Sequence, residues 1–132
     1  NRMQAEFLAA DVPAVWLLTP WTYEGVDLPE GTVDHLYIDS VPFDHPSHSV
    51  LQIRKEIYKR PFDEYFVPRL LNRLFRLLRT YCRHKTDTGD VTVLDKRLRE
   101  KNYGPTVLTF LEQFAAENEQ GDGEMKPQMQ LL

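Results

Sequence analysis

Residues 66–83, FVPRLLNRLFRLLRTYCR, admit one regular arrangement far better than any other. At 3.6 residues per turn, Val67, Leu70, Leu71, Leu74, Leu77, Leu78, Tyr81 and Cys82 fall on one side of a helix. Arg69, Arg73, Arg76, Thr80 and Arg83 run down the other at spacings of four, three, four and three. The leucine side is built for burial. The arginine side has no acid between Glu64 and Asp87, so its cations repel one another and call for an anion from outside the helix. A solvated face is the ordinary reading of such a stripe, but solvated faces usually mix both signs of charge. Phosphate held by guanidinium forks is the anion that fits this pattern.

The whole chain has 132 residues and a net charge of -4, which argues against gripping nucleic acid by bulk charge. The charge is uneven: residues 54–101 hold 14 of the 16 Lys and Arg but 7 of the 20 acids, which suits a local anion-binding surface. The length is one domain's worth. No apolar run reaches the roughly 20 residues of a membrane span, and the first residues carry no targeting pattern, so a cytoplasmic, soluble address is expected. One cysteine, Cys82, excludes an internal disulfide framework and an all-cysteine metal site. Its place on the leucine side predicts a buried thiol. His45 and His48 lie three apart without a third ligand in convincing order, so no metal site is predicted there.

Along the chain, a short helix is expected through Ala10, then a buried strand at residues 14–19, AVWLLT, opening into the Gly- and Pro-punctuated loop 20–31. A second strand is expected over residues 33–41, ending at Pro42. Ser49 with Gln52 reads as a capping box for a helix to about Lys59. After the central helix, residues 90–94 read as a third strand, and Pro105 suits the first turn of a helix carrying Val107, Leu108, Leu111 and Phe114. Residues 117–132 are polar and acidic and are expected to fray as a tail to a domain over residues 1–116. Strands alternating with helices predict an α/β fold, a mostly parallel sheet flanked by helices. Three strands are few for a complete sheet, so an incomplete fragment is expected.

Four stretches in this order carry a family resemblance: TYEGVDLPEG at residues 22–31, VPF at 41–43, the arginine-lined helix, and GDVTVLDKRLREKNYG at 89–104. Together they resemble the second motor domain of the DinG and XPD group of superfamily 2 helicases, over roughly residues 15–111. The first stretch resembles motif V, W-E-G-V-D-x-P-G, and the helix resembles motif VI, Q-x-x-G-R-x-x-R. The DKRLREKNYG segment is especially similar to the DinG branch.

The resemblance implies a RecA-like (P-loop NTPase-like) helicase C-terminal domain that closes over ATP and Mg held mainly by an N-terminal RecA-like domain of the same longer protein. It implies translocation on single-stranded DNA with 5′ to 3′ unwinding, and DNA repair as the setting. Glu24, Gly25 and Asp27 would couple nucleotide state to DNA grip. Thr19, Thr22, Arg69 and Arg73 would contact nucleic acid, and Arg83, with Arg79 and Arg76, would act on the transferring phosphoryl group as an arginine finger. An iron–sulfur cluster, present in many relatives, is compatible with the longer protein, and this chain lacks the four cysteines to hold one. It also lacks the phosphate loop G-x-x-x-x-G-K-[ST], so the fragment alone is expected to be inactive.

The chain departs from the pattern in motif VI. Aligned from Pro68 and from the KTDTG turn alike, the family's Gln falls at Arg76, its Gly at Arg79, its first Arg at Thr80 and its last at Arg83. Thr80 has no guanidinium, and Tyr23 stands where the family has Trp. Two readings follow: Arg76 or Arg79 reaches the phosphates instead, or the domain is a degenerate motor kept as a nucleic-acid-binding or scaffolding module without ATPase activity. A third, a free-standing phosphate-binding α/β protein, rests on the arginine face alone.

Overall fold

The computed structural model describes residues 2–19, 22–23, 25–45, 47–81, 90–119 and 129–131. Helix α1 (Arg2–Leu8) opens the chain, followed by β1 (His35–Ile38), α2 (Ser49–Ile57), a π-helical turn (Phe62–Phe66) running into α3 (Val67–Tyr81), β2 (Asp90–Val93), α4 (Arg97–Glu100), α5 (Gly104–Glu119) and β3 (Met129–Leu131). The three strands form one parallel sheet in the order β1-β2-β3. His35 pairs with Asp90 and Ile38 with Val93, while Val91 pairs with Met129 and Val93 with Leu131. Parallel neighbours need long crossovers, and here these are helical: α2 and α3 lie between β1 and β2, α4 and α5 between β2 and β3. The fold is α/β.

The core lies where α3 and α5 meet the sheet. Leu70, Leu74 and Leu78 recur every four residues and are fully buried, and Tyr81 is buried with them. They join Ile38, Val41, Val91 and Val93 of the β1 and β2 segments, Leu98 of α4, and Val107, Leu111 and Phe114 of α5 in one cluster. The leucine face of the central helix thus packs as its periodicity requires.

Gly104 opens α5 against the end of α4. A Cβ built there would stand 1.9 Å from the Leu98 carbonyl oxygen, so only glycine allows this approach. The glycine of NYG is therefore a packing requirement.

The fold departs from the sequence reading at four places. Residues 14–19 form no strand: Val15 is 87% and Leu17 84% exposed. An apolar run becomes a strand only beside another, and among the described residues the ladder consists of β1, β2 and β3. The strand expected at residues 90–94 forms as β2, while a strand the sequence reading did not expect, Met129–Leu131, lies beside it in the stretch 117–132, and α5 runs to Glu119. The N-cap of α2 is His48, with no side-chain cap bond, so the capping box of Ser49 and Gln52 does not form. The His48 carbonyl itself accepts from the N–H of Leu51 at 2.9 Å, which makes Ser49 the first helical residue. Finally, Arg73 is buried, although the helical spacing puts it on the open side of α3.

Candidate functional site

The arginine face of α3 divides into two halves with different partners. Toward the N-terminus, Arg73 Nη1 donates to Asp44 Oδ1 at 2.7 Å, and Arg69 Nε donates to Asp44 Oδ2. The side chains of Asp44 and Arg73 are 7% and 8% exposed. Asp44 follows the VPF segment, 29 residues before Arg73, so the counter-charge is tertiary. The requirement for an external anion, read from the helix by itself, is therefore met from within at Arg69 and Arg73. Nothing local in the sequence links the turn of Asp44 to the helix, so this partner is not legible there.

A second carboxylate holds the same segment from the other side. Val41 N–H donates to Asp95 Oδ2 at 2.9 Å, and Arg97 contacts both Asp95 oxygens through Nε, with Nη2 2.6 Å from Oδ2. Burial pushes the Asp95 carboxyl up. The Arg97 guanidinium and the backbone N–H groups of Val41 and Arg97 outweigh it and leave the carboxyl below its ordinary value. The hydrogen bond to Asp95 in turn raises Arg97. Arg97 also lies 5.9 Å from the centre of the Phe43 ring, which meets Tyr103 edge-on at 5.0 Å. Burial pushes the Tyr103 hydroxyl up.

The loop of the TYEGVDLPEG stretch rests on the middle of α3. Tyr23, 3% exposed, donates its hydroxyl to the Arg73 carbonyl oxygen at 3.0 Å. Val26 N–H bonds the Tyr23 carbonyl at 3.1 Å, closing a tight turn with Gly25 at φ +84°. No atom would obstruct a Cβ at Gly25, so glycine is favoured there by backbone conformation. Before it, Thr22 N–H bonds the Thr19 carbonyl at 3.0 Å and Thr22 Oγ1 accepts from Thr19 N–H at 2.9 Å, so both hydroxyl residues shape a turn. The side chain of Gln4 donates to the Asp27 carbonyl.

Docking the loop on α3 forms an open cleft of about 430 Å³ lined by Val26, Phe75, Arg76, Arg79 and Thr80. Among the described residues, none of those lining it is acidic. Arg76 and Arg79 are exposed, and Thr80 Oγ1 donates back to the Arg76 carbonyl at 2.9 Å. Two guanidiniums side by side can offer forked N–H donors to an anion, and the planar fork suits phosphate oxygens. Of the residues singled out in the sequence, Arg76 and Arg79 line this cleft, with Gly25 and Asp27 on either side of Val26. Arg69 and Arg73 belong to the Asp44 cluster instead. Glu24, Cys82 and Arg83 lie outside the described residues. Phe75 was not anticipated. It was legible as an apolar residue on the arginine side, and its ring lies 5.5 Å from the Arg79 guanidinium.

Comparison with known proteins places this arrangement. The chain is 29% identical over 106 residues to the ATP-dependent DNA helicase DinG of Photobacterium profundum, covering 77% of this chain and 15% of that protein. It is 31% identical over 102 residues to the ATP-dependent DNA helicase YoaA of Haemophilus influenzae, covering 74% of this chain and 16% of the relative. The 3'-5' exonuclease DinG of Bacillus subtilis is 28% identical over 102 residues, 74% of this chain and 11% of that protein. The chain thus spans about a sixth or less of the length of the relatives it matches. The family model described as the helicase C-terminal domain matches residues 6–114, and with the arginine-lined α3 and the glycine turn both inside that span, the chain belongs to the helicase C-terminal domain family.

Proposed function

We propose that this chain is the C-terminal, RecA-like motor domain of an ATP-dependent DNA helicase, working beside an N-terminal RecA-like domain of the same longer protein. The observation that carries the reading is the cleft in which Val26, of the glycine turn, lies with Arg76 and Arg79 and, among the described residues, no acid. A loop that senses one ligand and a helix that offers cations to another are in direct register there. The hydroxyl bond from Tyr23 to the α3 backbone ties their positions together.

In this reading ATP and Mg are held mainly by the partner domain, and hydrolysis supplies the energy for closing and releasing the grip on single-stranded DNA. Arg83, Arg79 and Arg76 present guanidiniums to the phosphates, which stabilises charge developing on the transferring group; such a finger supplies ~10³ to 10⁵ in rate in well-studied NTPases. Glu24, Gly25 and Asp27 couple the nucleotide to the DNA, which Thr19 and Thr22 contact at the head of the loop. Arg69 and Arg73 act on DNA indirectly, because Asp44 already holds their guanidiniums.

The test is Arg83→Ala in the full-length protein. DNA-stimulated ATPase should fall by far more than DNA affinity, and equal loss of both would remove Arg83 from the finger role. A second reading, a degenerate module that binds nucleic acid without ATPase, is supported by Thr80, whose hydroxyl is bonded to the Arg76 carbonyl and offers no cation. Retained DNA binding without any DNA-stimulated turnover of ATP would select it.

A further inference from the structure

The open half of the arginine face contains one residue that neither the leucine core nor the charge stripe accounts for. Phe75 is 38% exposed and lines the cleft with Arg76, Arg79 and Thr80. Its ring meets Phe114 of α5 edge-on, with centroids 6.1 Å apart and planes at 85°. Phe114 is 5% exposed and belongs to the core, so the ring of Phe75 is braced from below. On the cleft side, the Arg79 guanidinium carbon lies over the same ring at 5.5 Å. The spacing of four residues brings the two side chains together on a helix, and side chains lean toward the N-terminus, so Arg79 folds back onto Phe75.

We propose that Phe75 is a positioning residue that presets the Arg79 guanidinium for a polyphosphate anion in the cleft. A long arginine side chain loses conformational entropy when it binds an anion, and a ring that already holds the guanidinium lowers that loss. The attraction is electrostatic, between the cation and the negative face of the ring, and leaves the N–H donors at the guanidinium edge available to phosphate oxygens. Positioning of this kind compensates for Thr80, where the family pattern has an arginine. The inference rests on the reading of the cleft as phosphate-facing.

The experiment titrates the 132-residue chain with inorganic tripolyphosphate and follows the arginine Nε–H signals by NMR. Arg79→Ala and Arg76→Ala should each weaken binding. Phe75→Leu should weaken it roughly two- to fivefold, the scale of one exposed cation–π contact, and should shift the Arg79 Nε–H signal even without ligand. Phe75→Trp should bind at least as tightly as the parent, because the larger ring strengthens the contact. If Arg79→Ala loses affinity while Phe75→Leu binds like the parent, the positioning role is overturned and the phosphate-facing cleft stands. If neither arginine variant changes affinity, or the parent does not bind, the cleft reading falls and the positioning role with it. Should Phe75→Leu fail to fold, Phe75→Trp decides: weaker binding than the parent overturns the proposal.

Discussion

Tyr23 and Arg73 are joined by a buried hydrogen bond of 3.0 Å, from the phenol of one to the main-chain carbonyl of the other, across 50 residues of sequence. The bond fixes the height of the glycine turn on α3, and with it the gap in which the cleft lies. The carbonyl has two lone pairs, so it can accept from tyrosine without giving up its place in the helix.

Tyr23→Phe keeps the ring in its pocket and removes that bond. The domain should lose roughly 0.5–1.5 kcal/mol, the net worth of a typical internal hydrogen bond, measurable by urea unfolding. Hydrogen exchange at Val26 N–H should quicken by more than exchange in α5, since the loop loses its anchor and α5 does not.

Asp44→Ala removes the carboxylate that Arg73 meets inside the protein. Breaking one side of a buried ion pair costs roughly 3–5 kcal/mol, a large part of a domain's stability. The double variant Asp44→Leu with Arg73→Met should regain much of that loss, because an apolar pair carries no desolvation penalty. Equilibrium unfolding of the three proteins checks both statements. A double variant no more stable than Asp44→Ala would mean that the pair specifies the local packing as well as balancing charge.

Asp95 makes the domain sensitive to acid. Its folded pKa lies below the ordinary value of 3.8, so its contribution is fully present above that pH and is lost as the pH falls through the folded value. Asp95→Asn should lower stability at neutral pH and flatten the fall in stability below about pH 4, the region set by the ordinary carboxyl pKa. Thermal unfolding at a series of pH values reads the slope directly. Parallel curves for parent and variant would show that the carboxylate is not the group being titrated.

Gly104→Ala should disrupt the turn between α4 and α5, because the added carbon would meet the Leu98 carbonyl oxygen at 1.9 Å. Main chain must move, at a cost of roughly 1–3 kcal/mol or more. Gly25→Ala meets no obstacle and costs only the left-handed conformation, about 1–2 kcal/mol. Melting temperatures of the two variants should therefore fall further for Gly104 than for Gly25.

The sequence by itself determined the parts whose signal is local. The four-residue recurrence of Leu70, Leu74 and Leu78, the alternation around β1, the short apolar run of β2, and the proline at the head of α5 each depend on neighbours within a turn or a ladder step. The four ordered stretches that carry the family resemblance were legible for the same reason. Tertiary structure alone decided which cations stay available. Four of the arginines on α3 look alike in sequence, yet Asp44 takes Arg69 and Arg73 while Val26 and Phe75 share a cleft with Arg76 and Arg79. It also decided which apolar runs become strands: residues 14–19 have the composition but lie outside the ladder, and Met129–Leu131 lies beside β2. Charge pairing and strand pairing both join residues far apart in the chain, and no local pattern encodes which distant partner will arrive.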